Sequence, residues 1–343
     1  MHGNNGNRSR AASARGFMAL FAMLAMALGL MAAPAEASPF VYVVNSGDGN
    51  VSVIDTNTNT VVGIPISVGR EPFGVDVTPD GKHAYVANRG SNNVSVIDTA
   101  SHTVVATVVV GKVPFNVAVT PDGKHAYVAN AGSNNVSVID TATNTVESIV
   151  IMVGTSPVRV AFTPDGKQAY VTNFNSNNVS VIDTATNTVV NTVAVGKNPR
   201  GVAVTRGRKH VYVTNGGSNT VSVIDTATNT VEAATIPVGT SPRGIAITPD
   251  GKRAYVTNVV DGTVSVIDTS TDTVVGTPIP VGDSPSLVVI APDGKHAYVT
   301  NLTSNNVSVI DTGSQTVAAT VPVGSDPAGV GIVSPSAGAI PRL

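Results

Sequence analysis

The sequence predicts an all-β fold in which one four-stranded unit is repeated seven times. All seven tyrosines of the 343-residue chain occupy the same position in successive copies of a repeat, separated by 43, 42, 43, 42, 43 and 43 residues. Each tyrosine belongs to a near-copy of one phrase, such as AYVTN at residues 169–173 followed by VSVIDT at residues 179–184. A period of about 40 residues built from short β-rich runs is typical of propellers and repeat arrays. We therefore predict a single closed seven-bladed β-propeller of four-stranded antiparallel blades.

Four strands can be placed in each copy from alternation and turn chemistry. The first and second strands are joined by a tight turn, in which Pro249 presets φ and Gly251 accommodates a positive φ. The strands are rich in Val and Ile because both faces of a blade pack against neighbouring blades. In one copy the four strands are predicted at residues 242–247, 254–258, 264–268 and 274–281.

The strands present in the incomplete first and last copies predict how the ring closes. Residues 40–69 supply only the second, third and fourth strands of a unit, whereas residues 327–333 supply only a first strand. These N-terminal strands and the C-terminal innermost strand would complete the seventh blade and leave no open edge. The propeller is predicted to span residues 38–335, with a short tail at residues 336–343. Six complete units begin at Pro72, Pro114, Pro157, Pro199, Pro242 and Pro285.

Residues 1–37 lie outside the repeat and have the pattern of a secretory signal peptide. Three arginines precede an apolar or small-residue stretch at residues 17–33, and Ala35-Glu36-Ala37 supplies small residues at the usual cleavage spacing. The stretch is at the short limit for a membrane span, which favours cleavage over a membrane anchor. We expect export to the periplasm, the cell surface or the medium, with no stable membrane span after cleavage.

Composition narrows the chemistry that the chain can use. It contains no cysteine, which excludes disulfides, thiolate metal sites and CxxCH haem attachment. With 20 basic and 22 acidic residues the net charge is −2, so the chain lacks the global charge typical of nucleic-acid binding. Four of the histidines recur on separate turns, too dispersed to share a metal ion. We predict no cofactor and no metal site.

The repeated phrases resemble those of a known family. Tyr-Val-Thr-Asn occurs at Tyr170, Tyr212, Tyr255 and Tyr298, and Thr-Pro-Asp-Gly-Lys recurs in the turns between the first and second strands. In both phrases the chain resembles the YVTN family of β-propeller repeat proteins, of the YncE and surface-layer type. The resemblance covers the whole repeat region and implies an exported seven-bladed propeller, without implying a single activity. It departs at residues 206–209, where Arg-Gly-Arg-Lys replaces Pro-Asp-Gly-Lys.

Residues that occur in every blade are predicted to be structural, and those that differ between blades are the candidates for function. The repeated aspartates and asparagines stand at turns, where such side chains bond to the backbone. The variable residues cluster in two loops, between the fourth and first strands and between the second and third strands. Both loops should emerge at the same end of the propeller.

These variable positions carry seven cations and three phenylalanines, which we predict to form a ligand site around the channel mouth. Arginine binds carboxylates and phosphates through two parallel hydrogen bonds, and rings beside arginines can stack on nucleobases. Asp76 replaces a small residue of the innermost strand and is either a ligand group in the channel or a solvated carboxylate. The alternative for the whole set is a mixed, solvated rim without a ligand. The candidates are Arg70, Arg89, Lys112, Arg159, Lys197, Arg200, Arg243, Phe73, Phe115 and Phe174.

The leading functional hypothesis is an exported, non-enzymatic binding module for an anionic ligand such as nucleic acid or an acidic polymer. A structural component of the surface layer or cell envelope is the first alternative. An enzyme such as a lactone hydrolase or a quinoprotein is the second alternative. Against an enzyme, the chain has no tryptophan to stack on a quinone, and no isolated His or Glu marks the predicted channel. The propeller fold does not decide among these functions.

Overall fold

The computed structural model describes residues 40–207, 209–232 and 235–333, which form an all-β propeller of seven blades. Each blade is an antiparallel sheet of four strand positions, so the predicted fold class is confirmed. The predicted signal peptide (residues 1–37) and the predicted tail (residues 336–343) lie outside the described residues. In the described segments, no helix is long and apolar enough to cross a membrane.

The strands follow one another in chain order, and every innermost strand except the last opens a new blade. Blade 1 contains β29, β1, β2 and β3, and blades 2 to 7 begin at β4, β8, β12, β16, β21 and β25. In blade 5 the outermost strand is divided into β19 and β20, which both pair with β18. The strands are β1 (Phe40–Asn45), β2 (Asn50–Asp55), β3 (Thr60–Ser67), β4 (Pro72–Val77), β5 (His83–Asn88), β6 (Asn93–Asp98), β7 (Thr103–Val109), β8 (Pro114–Val119), β9 (His125–Asn130), β10 (Asn135–Asp140), β11 (Thr145–Met152), β12 (Pro157–Phe162), β13 (Gln168–Asn173), β14 (Asn178–Asp183), β15 (Thr188–Ala194), β16 (Pro199–Val204), β17 (His210–Asn215), β18 (Thr220–Asp225), β19 (Thr230–Val231), β20 (Ile236–Pro237), β21 (Pro242–Ile247), β22 (Arg253–Asn258), β23 (Thr263–Asp268), β24 (Thr273–Pro280), β25 (Pro285–Ile290), β26 (His296–Asn301), β27 (Asn306–Asp311), β28 (Thr316–Pro322) and β29 (Pro327–Ile332).

Blade 1 combines strands from both ends of the repeat region. Its innermost strand β29 pairs antiparallel with β1, with Gly331 opposite Tyr42 and Gly329 opposite Val44. Backbone groups at the edge of an open sheet would otherwise be left unpaired. The joint between β29 and β1 therefore supplies blade 1 with the inner strand that each other blade takes from its own repeat.

The core lies between the blades rather than within one sheet. Each apolar cluster combines two adjacent blades, as where Tyr85 and Val96 of blade 2 pack with Val117 and Ile139 of blade 3. The second and third strands are buried on both faces, which explains why their sequences are continuous runs of Val and Ile. Apolar burial of this kind stabilises the ring at roughly 25 cal/mol per Å² of surface removed from water.

The tyrosines recur in one phase because each reaches into the next blade. The hydroxyl of Tyr85 donates to Oδ1 of Asn144 in the outer turn of blade 3 at 2.7 Å. The hydroxyl of Tyr298 in blade 7 donates to Asn59 of blade 1 at 3.2 Å and so completes the circle. A buried phenol needs such a partner, because an unpaired polar group costs about 1–3 kcal/mol. The repeated tyrosine thus has a structural role, because its hydroxyl bonds each blade to the next.

Candidate functional site

The two kinds of variable loop lie side by side at one end of the propeller. In blade 2, the backbone N–H of Arg89 donates to the carbonyl oxygen of Glu71 at 3.1 Å. In blade 5, the N–H of Gly217 donates to the carbonyl oxygen of Lys197 at 2.9 Å. The loops before the innermost strands and the loops between the second and third strands therefore form one surface.

Two arginines lie in β-bulges at the start of innermost strands. In blade 5 the register between β16 and β17 shifts by one residue between Pro199 and Val202, and Arg200 lies within this shift. The same irregularity occurs at the start of β21 in blade 6 and contains Arg243. A bulge inserts one extra residue and re-aims the side chains around it. Both arginines are half-buried residues of the innermost strands rather than exposed loop residues.

Two threonines of the repeated phrase fix the backbones of these arginines. The hydroxyl of Thr172 donates to the carbonyl oxygen of Arg200, and the hydroxyl of Thr214 donates to that of Arg243, both at 2.8 Å. Thr214 in turn accepts a bond from the N–H of Gly201 at 2.7 Å. A Cβ at Gly201 would lie 2.4 Å from the carbonyl oxygen of Arg243, so a side chain does not fit there. Sequence reasoning did not single out the threonines because they belong to the repeated phrase.

Seven of the predicted site residues meet at the channel mouth. The guanidinium of Arg243 lies 5.1 Å from the ring centre of Phe73, although Arg243 belongs to blade 6 and Phe73 to blade 2. Arg89 lies 5.1 Å from the centre of the same ring and 5.4 Å from that of Phe115. Since blades 7 and 1 stand between blades 6 and 2, Arg243 reaches across the mouth. We call this set the arginine cluster: Arg89, Arg159, Arg200, Arg243, Phe73, Phe115 and Phe174.

The remaining members join the cluster at its other side. The guanidinium of Arg200 lies 4.8 Å from the ring centre of Phe174. Arg159, Arg200 and Arg243 also line a gap of about 20 Å³ together with Phe115 and Val158. Cations over aromatic faces are attracted by about 0.5–2 kcal/mol. The rings thus hold the guanidinium groups in place without neutralising them.

The guanidinium groups repel one another in a poorly hydrated place. Burial, with the nearby charges of Arg200, Arg159 and Arg89, lowers the pKa of Arg243 to about 9. Burial lowers the pKa of Arg159 to about 10 and also lowers the pKa of Arg200. These groups stay protonated at neutral pH, so the cluster holds its positive charges at a cost in folding free energy.

Negative charge at the cluster is scarce. Within the described residues, its one ion pair joins Arg89 Nη2 to Glu71 Oε2 at 3.3 Å, with the glutamate largely exposed. The buried Nε–H groups of Arg89 and Arg200 have no hydrogen-bond partner in this part of the chain. Arg159 has Asp76 as its nearest electrostatic counterpart. Among the described residues, the carboxylates that oppose the four arginines are those of Glu71 and Asp76.

Asp76 lies in the channel and joins blade 2 to blade 3. Its carboxylate accepts the backbone N–H of Val77 at 3.0 Å and that of Val119, in blade 3, at 2.8 Å. Burial raises the pKa of Asp76 to about 6, although both hydrogen bonds and the charge of Arg159 oppose the rise. Asp76 thus has a bridging role between blades that neither interpretation of the sequence included.

Asn116 has a similar role in the next blade. Its Oδ1 accepts the N–H of Val160, in blade 4, at 3.1 Å. In these two blades Ala87 and Ala129 stand where blades 4 to 7 carry the threonine that bonds to the next innermost strand. In blades 2 and 3, side chains of the innermost strand therefore make the link to the next blade that the second strand, without a hydroxyl, does not make.

Three predicted cations lie apart from the cluster. Arg70, Lys112 and Lys197 are exposed on the loops before the innermost strands. The guanidinium of Arg70 donates to the carbonyl oxygen of Gly90 at 3.1 Å. The structure thus divides the predicted set into an inner group at the mouth and three solvated charges on the surrounding loops.

A cavity of about 310 Å³ lies in the channel, and Arg159 belongs to both its wall and the gap among the arginines. Its polar lining residues are Asp76, Asn116 and Arg159, while the others are Val, Ile, Leu, Ala or Gly. Among the described residues, no group of three or more His, Cys, Asp or Glu side chains is placed to hold a metal ion. The arrangement is chemically suited to recognise an anion.

Comparisons with known proteins agree with this architecture. The family model described as Lactonase, 7-bladed beta-propeller matches residues 33–162 and 224–327. The model described as YNCE-like beta-propeller matches residues 118–207. No curated protein sequence matches.

Solved structures share the fold over most of their length. Hydrazine synthase of Kuenenia stuttgartiensis is 30% identical, with a TM-score of 0.74 over 81% of this chain and 93% of that chain. A functionally unknown protein of Desulfotomaculum acetoxidans is 19% identical, with a TM-score of 0.75 over 86% of this chain and 99% of that chain. A Bacteroides fragilis protein provisionally described as a 6-phosphogluconolactonase is 20% identical, with a TM-score of 0.72 over 88% of this chain and 99% of that chain. Because the lactonase-type model covers more than half of the sequence and the YNCE-like model covers its centre, the chain belongs to the lactonase-type and YNCE-like family of seven-bladed β-propellers.

Proposed function

We propose that this protein is a binding module that holds an anionic ligand at the arginine cluster. The observation that carries the proposal is the convergence of four half-buried arginines on one mouth with too few carboxylates to balance them. Buried charge is costly unless it is paired and hydrogen-bonded. An anion that accepts bonds from Arg200 and Arg243 would supply the missing partner. The lactonase description of the family carries no activity over to this chain, because one fold hosts many functions.

The proposal also gives the phenylalanines of the arginine cluster a role. Phe73 and Phe115 pack against each other with ring centres 4.1 Å apart and lie under Arg89 and Arg243. Guanidinium groups whose central carbons lie 5.1–5.4 Å from these ring centres keep N–H groups for a ligand. The site is therefore organised before the ligand arrives, which reduces the entropy lost on binding. Export through the predicted signal peptide would present this face outside the cytoplasm.

A titration tests the proposed function. Purified protein would be titrated with oligothymidylate, with polygalacturonate and with neutral dextran, each at low and at moderate ionic strength. We expect the anions to bind and the dextran not to bind. Affinity for the anions should fall as salt rises, because charge pairs near a surface are screened. Absence of binding by every anion would contradict the proposal and favour the structural alternative.

The pH dependence of binding follows from Asp76. Since the pKa of Asp76 is raised to about 6, the carboxylate is charged at pH 7 and largely neutral at pH 5. Protonation leaves the charge of Arg159 unopposed, so affinity for oligothymidylate, which stays ionised over this range, should rise about three- to tenfold between pH 7 and pH 5. The Asp76→Asn variant cannot titrate and should show a flat profile. An equal rise in both proteins would assign the effect to other groups.

A further inference from the structure

The turn between β16 and β17 departs from the repeat at the end of the propeller opposite to the arginine cluster. Arg206 and Gly207 stand where the five other turns of this kind carry proline and aspartate. The turn of blade 5 still closes in the usual way, because the backbone N–H of Thr205 donates to the carbonyl oxygen of His210 at 3.0 Å. The two replacements therefore change the chemistry of the turn and keep its closing bond.

The missing proline opens a cleft between blades 5 and 6. In three other places the proline of one turn covers a glycine of the next blade. A Cβ at Gly294 would lie 3.4 Å from Cδ of Pro249, and Gly123 and Gly166 are covered in the same way. At Gly251, which follows the turn of blade 5, an added Cβ would meet no atom of the described residues within 4 Å. The cleft here measures about 550 Å³, against about 360 Å³ between blades 6 and 7.

Three cations line this cleft from both sides. Arg206 and Lys209 belong to blade 5 and Lys252 belongs to blade 6, and all three side chains are exposed. In blade 2 the counterpart of Lys209 is Lys82, which lies 3.6 Å from the carboxylate of Asp80 in its own turn. Glycine replaces that aspartate in blade 5. The turn of blade 5 thus gives the cleft positive charge without a carboxylate of its own.

The two carboxylates of the cleft are bonded within their own blade. Oδ1 of Asp250 accepts the hydroxyl of Thr248 at 2.6 Å, and Oδ1 of Asp268 accepts that of Ser270 at 2.6 Å. With histidine counted as neutral, the described lining residues carry three cations and two carboxylates, a net charge of +1. The same positions between blades 2 and 3 carry two lysines and three aspartates, a net charge of −1. Those positions are Asp80, Lys82, Asp122, Lys124 and Asp140.

We propose, independently of the function proposed above, that this cleft binds a compact oxyanion with two or more negative charges. Pairs of exposed charges are individually weak, so affinity requires several pairs acting together. A ligand with several charges can pair with the cations of both blades, whereas a singly charged ligand cannot. Lysine and arginine supply N–H donors that suit phosphate or carboxylate oxygens. No covalent step is involved, and both ends of the propeller can be occupied at once.

Calorimetric titration with pyrophosphate tests this inference. It is made on the Arg243→Met protein, in which the arginine cluster is weakened, so that the cleft is measured by itself. One pyrophosphate should bind, and acetate should bind at least about tenfold more weakly. Citrate, titrated in the same way, distinguishes a carboxylate ligand from a phosphate ligand by which of the two binds more tightly. Affinity should fall as salt rises, because the pairs are exposed.

A reversion of the turn locates the site. Adding Arg206→Pro and Gly207→Asp restores the residues of the other turns, removes one cation and adds one carboxylate, so pyrophosphate affinity should fall about tenfold or more. Lys252→Gln should weaken binding about threefold, whereas Lys82→Gln, at the same position of blade 2, should not change it. If the reverted protein does not fold, the comparison of Lys252→Gln with Lys82→Gln decides the matter.

The outcomes separate this inference from the proposed function. Equal pyrophosphate affinity with and without the reversion, or equal effects of Lys252→Gln and Lys82→Gln, would overturn the cleft site. Oligothymidylate binding at the arginine cluster is measured on the parent protein and should be unchanged by the reversion. Loss of oligothymidylate binding alone would contradict the proposed function and leave the cleft site intact.

Discussion

Replacement of Gly329 by alanine is expected to destabilise the whole propeller by about 3 kcal/mol or more. Gly329 lies in β29, the strand that completes blade 1, and a Cβ at this position would stand 1.9 Å from the carbonyl oxygen of Phe73. The obstacle is backbone of blade 2, so it cannot rotate away as a side chain could. Blades 1 and 2 would have to separate locally, which weakens the packing between Val75 and the residues of blade 1.

The chain offers a matched control two residues further along the same strand. A Cβ at Gly331 would meet nothing closer than 3.3 Å, again from a backbone carbonyl, that of Val75. Gly331→Ala should therefore change stability by less than about 1 kcal/mol, and the loss of chain entropy in the unfolded state could offset any strain. Urea unfolding followed by circular dichroism measures both. Equal midpoints for the two variants would show that β29 is not packed against blade 2 as described.

Replacement of Arg243 by methionine is expected to make the protein more stable and a poorer binder. Arg243 is held among three other arginines, and burial with their repulsion lowers its pKa to about 9. Replacing buried charged side chains with apolar ones of similar size is often neutral or stabilising, by up to about 1–4 kcal/mol when a whole ion pair is replaced. The lost attraction to Phe73 offsets about 0.5–1 kcal/mol of this. We expect a net gain in unfolding free energy of about 1 kcal/mol.

Binding should change in the opposite direction. A hydrogen bond to a charged group contributes about 1.5–3 kcal/mol, so affinity for an anion should fall about ten- to hundredfold in Arg243→Met. Lys82→Met is the control, since Lys82 is exposed on the opposite end and forms an ion pair with the exposed Asp80 at 3.6 Å. It should alter neither stability nor binding appreciably. A destabilised Arg243→Met protein, or one that binds as tightly as the parent, would show that the arginine serves folding instead of a ligand.

The fold could be predicted because its determinants are local and repeated. The prolines that begin the innermost strands, the turn sequence and the tyrosine phase recur in the sequence, and each marks the same place in its blade. The recurrence of Tyr85 and Tyr298 in one phase indicated a structural residue. The sequence could not show that their hydroxyls bond to Asn144 and Asn59, because those contacts cross from one blade to the next.

The end of the propeller that carries the site could be predicted, but the arrangement of its side chains could not. Lys197 and Arg200 are three residues apart, yet one is exposed on a loop and the other half-buried in a bulge at the mouth. Lys197 precedes Pro199, where β16 begins, whereas Arg200 lies inside the strand at a register shift that spacing alone does not reveal. The bond from Asp76 to Val119 likewise joins residues that only the closed ring brings together. Thr172 and Thr214, which bond to the backbones of Arg200 and Arg243, could not be singled out because they belong to the repeated phrase.

The hydroxyl of Thr214 binds the backbone of Arg243 and makes no use of its side chain. The same is true of Thr172 and Arg200. In blades 5, 6, 7 and 1, the residue that follows the first proline of the innermost strand therefore receives this bond through its carbonyl oxygen, whatever its side chain. At Arg200 and Arg243, whose side chains are half-buried at the mouth, ligand preference can therefore change while the bond that secures the strand is kept. A library that varied Arg200 and Arg243 alone would sample new specificities and leave these two backbone bonds in place.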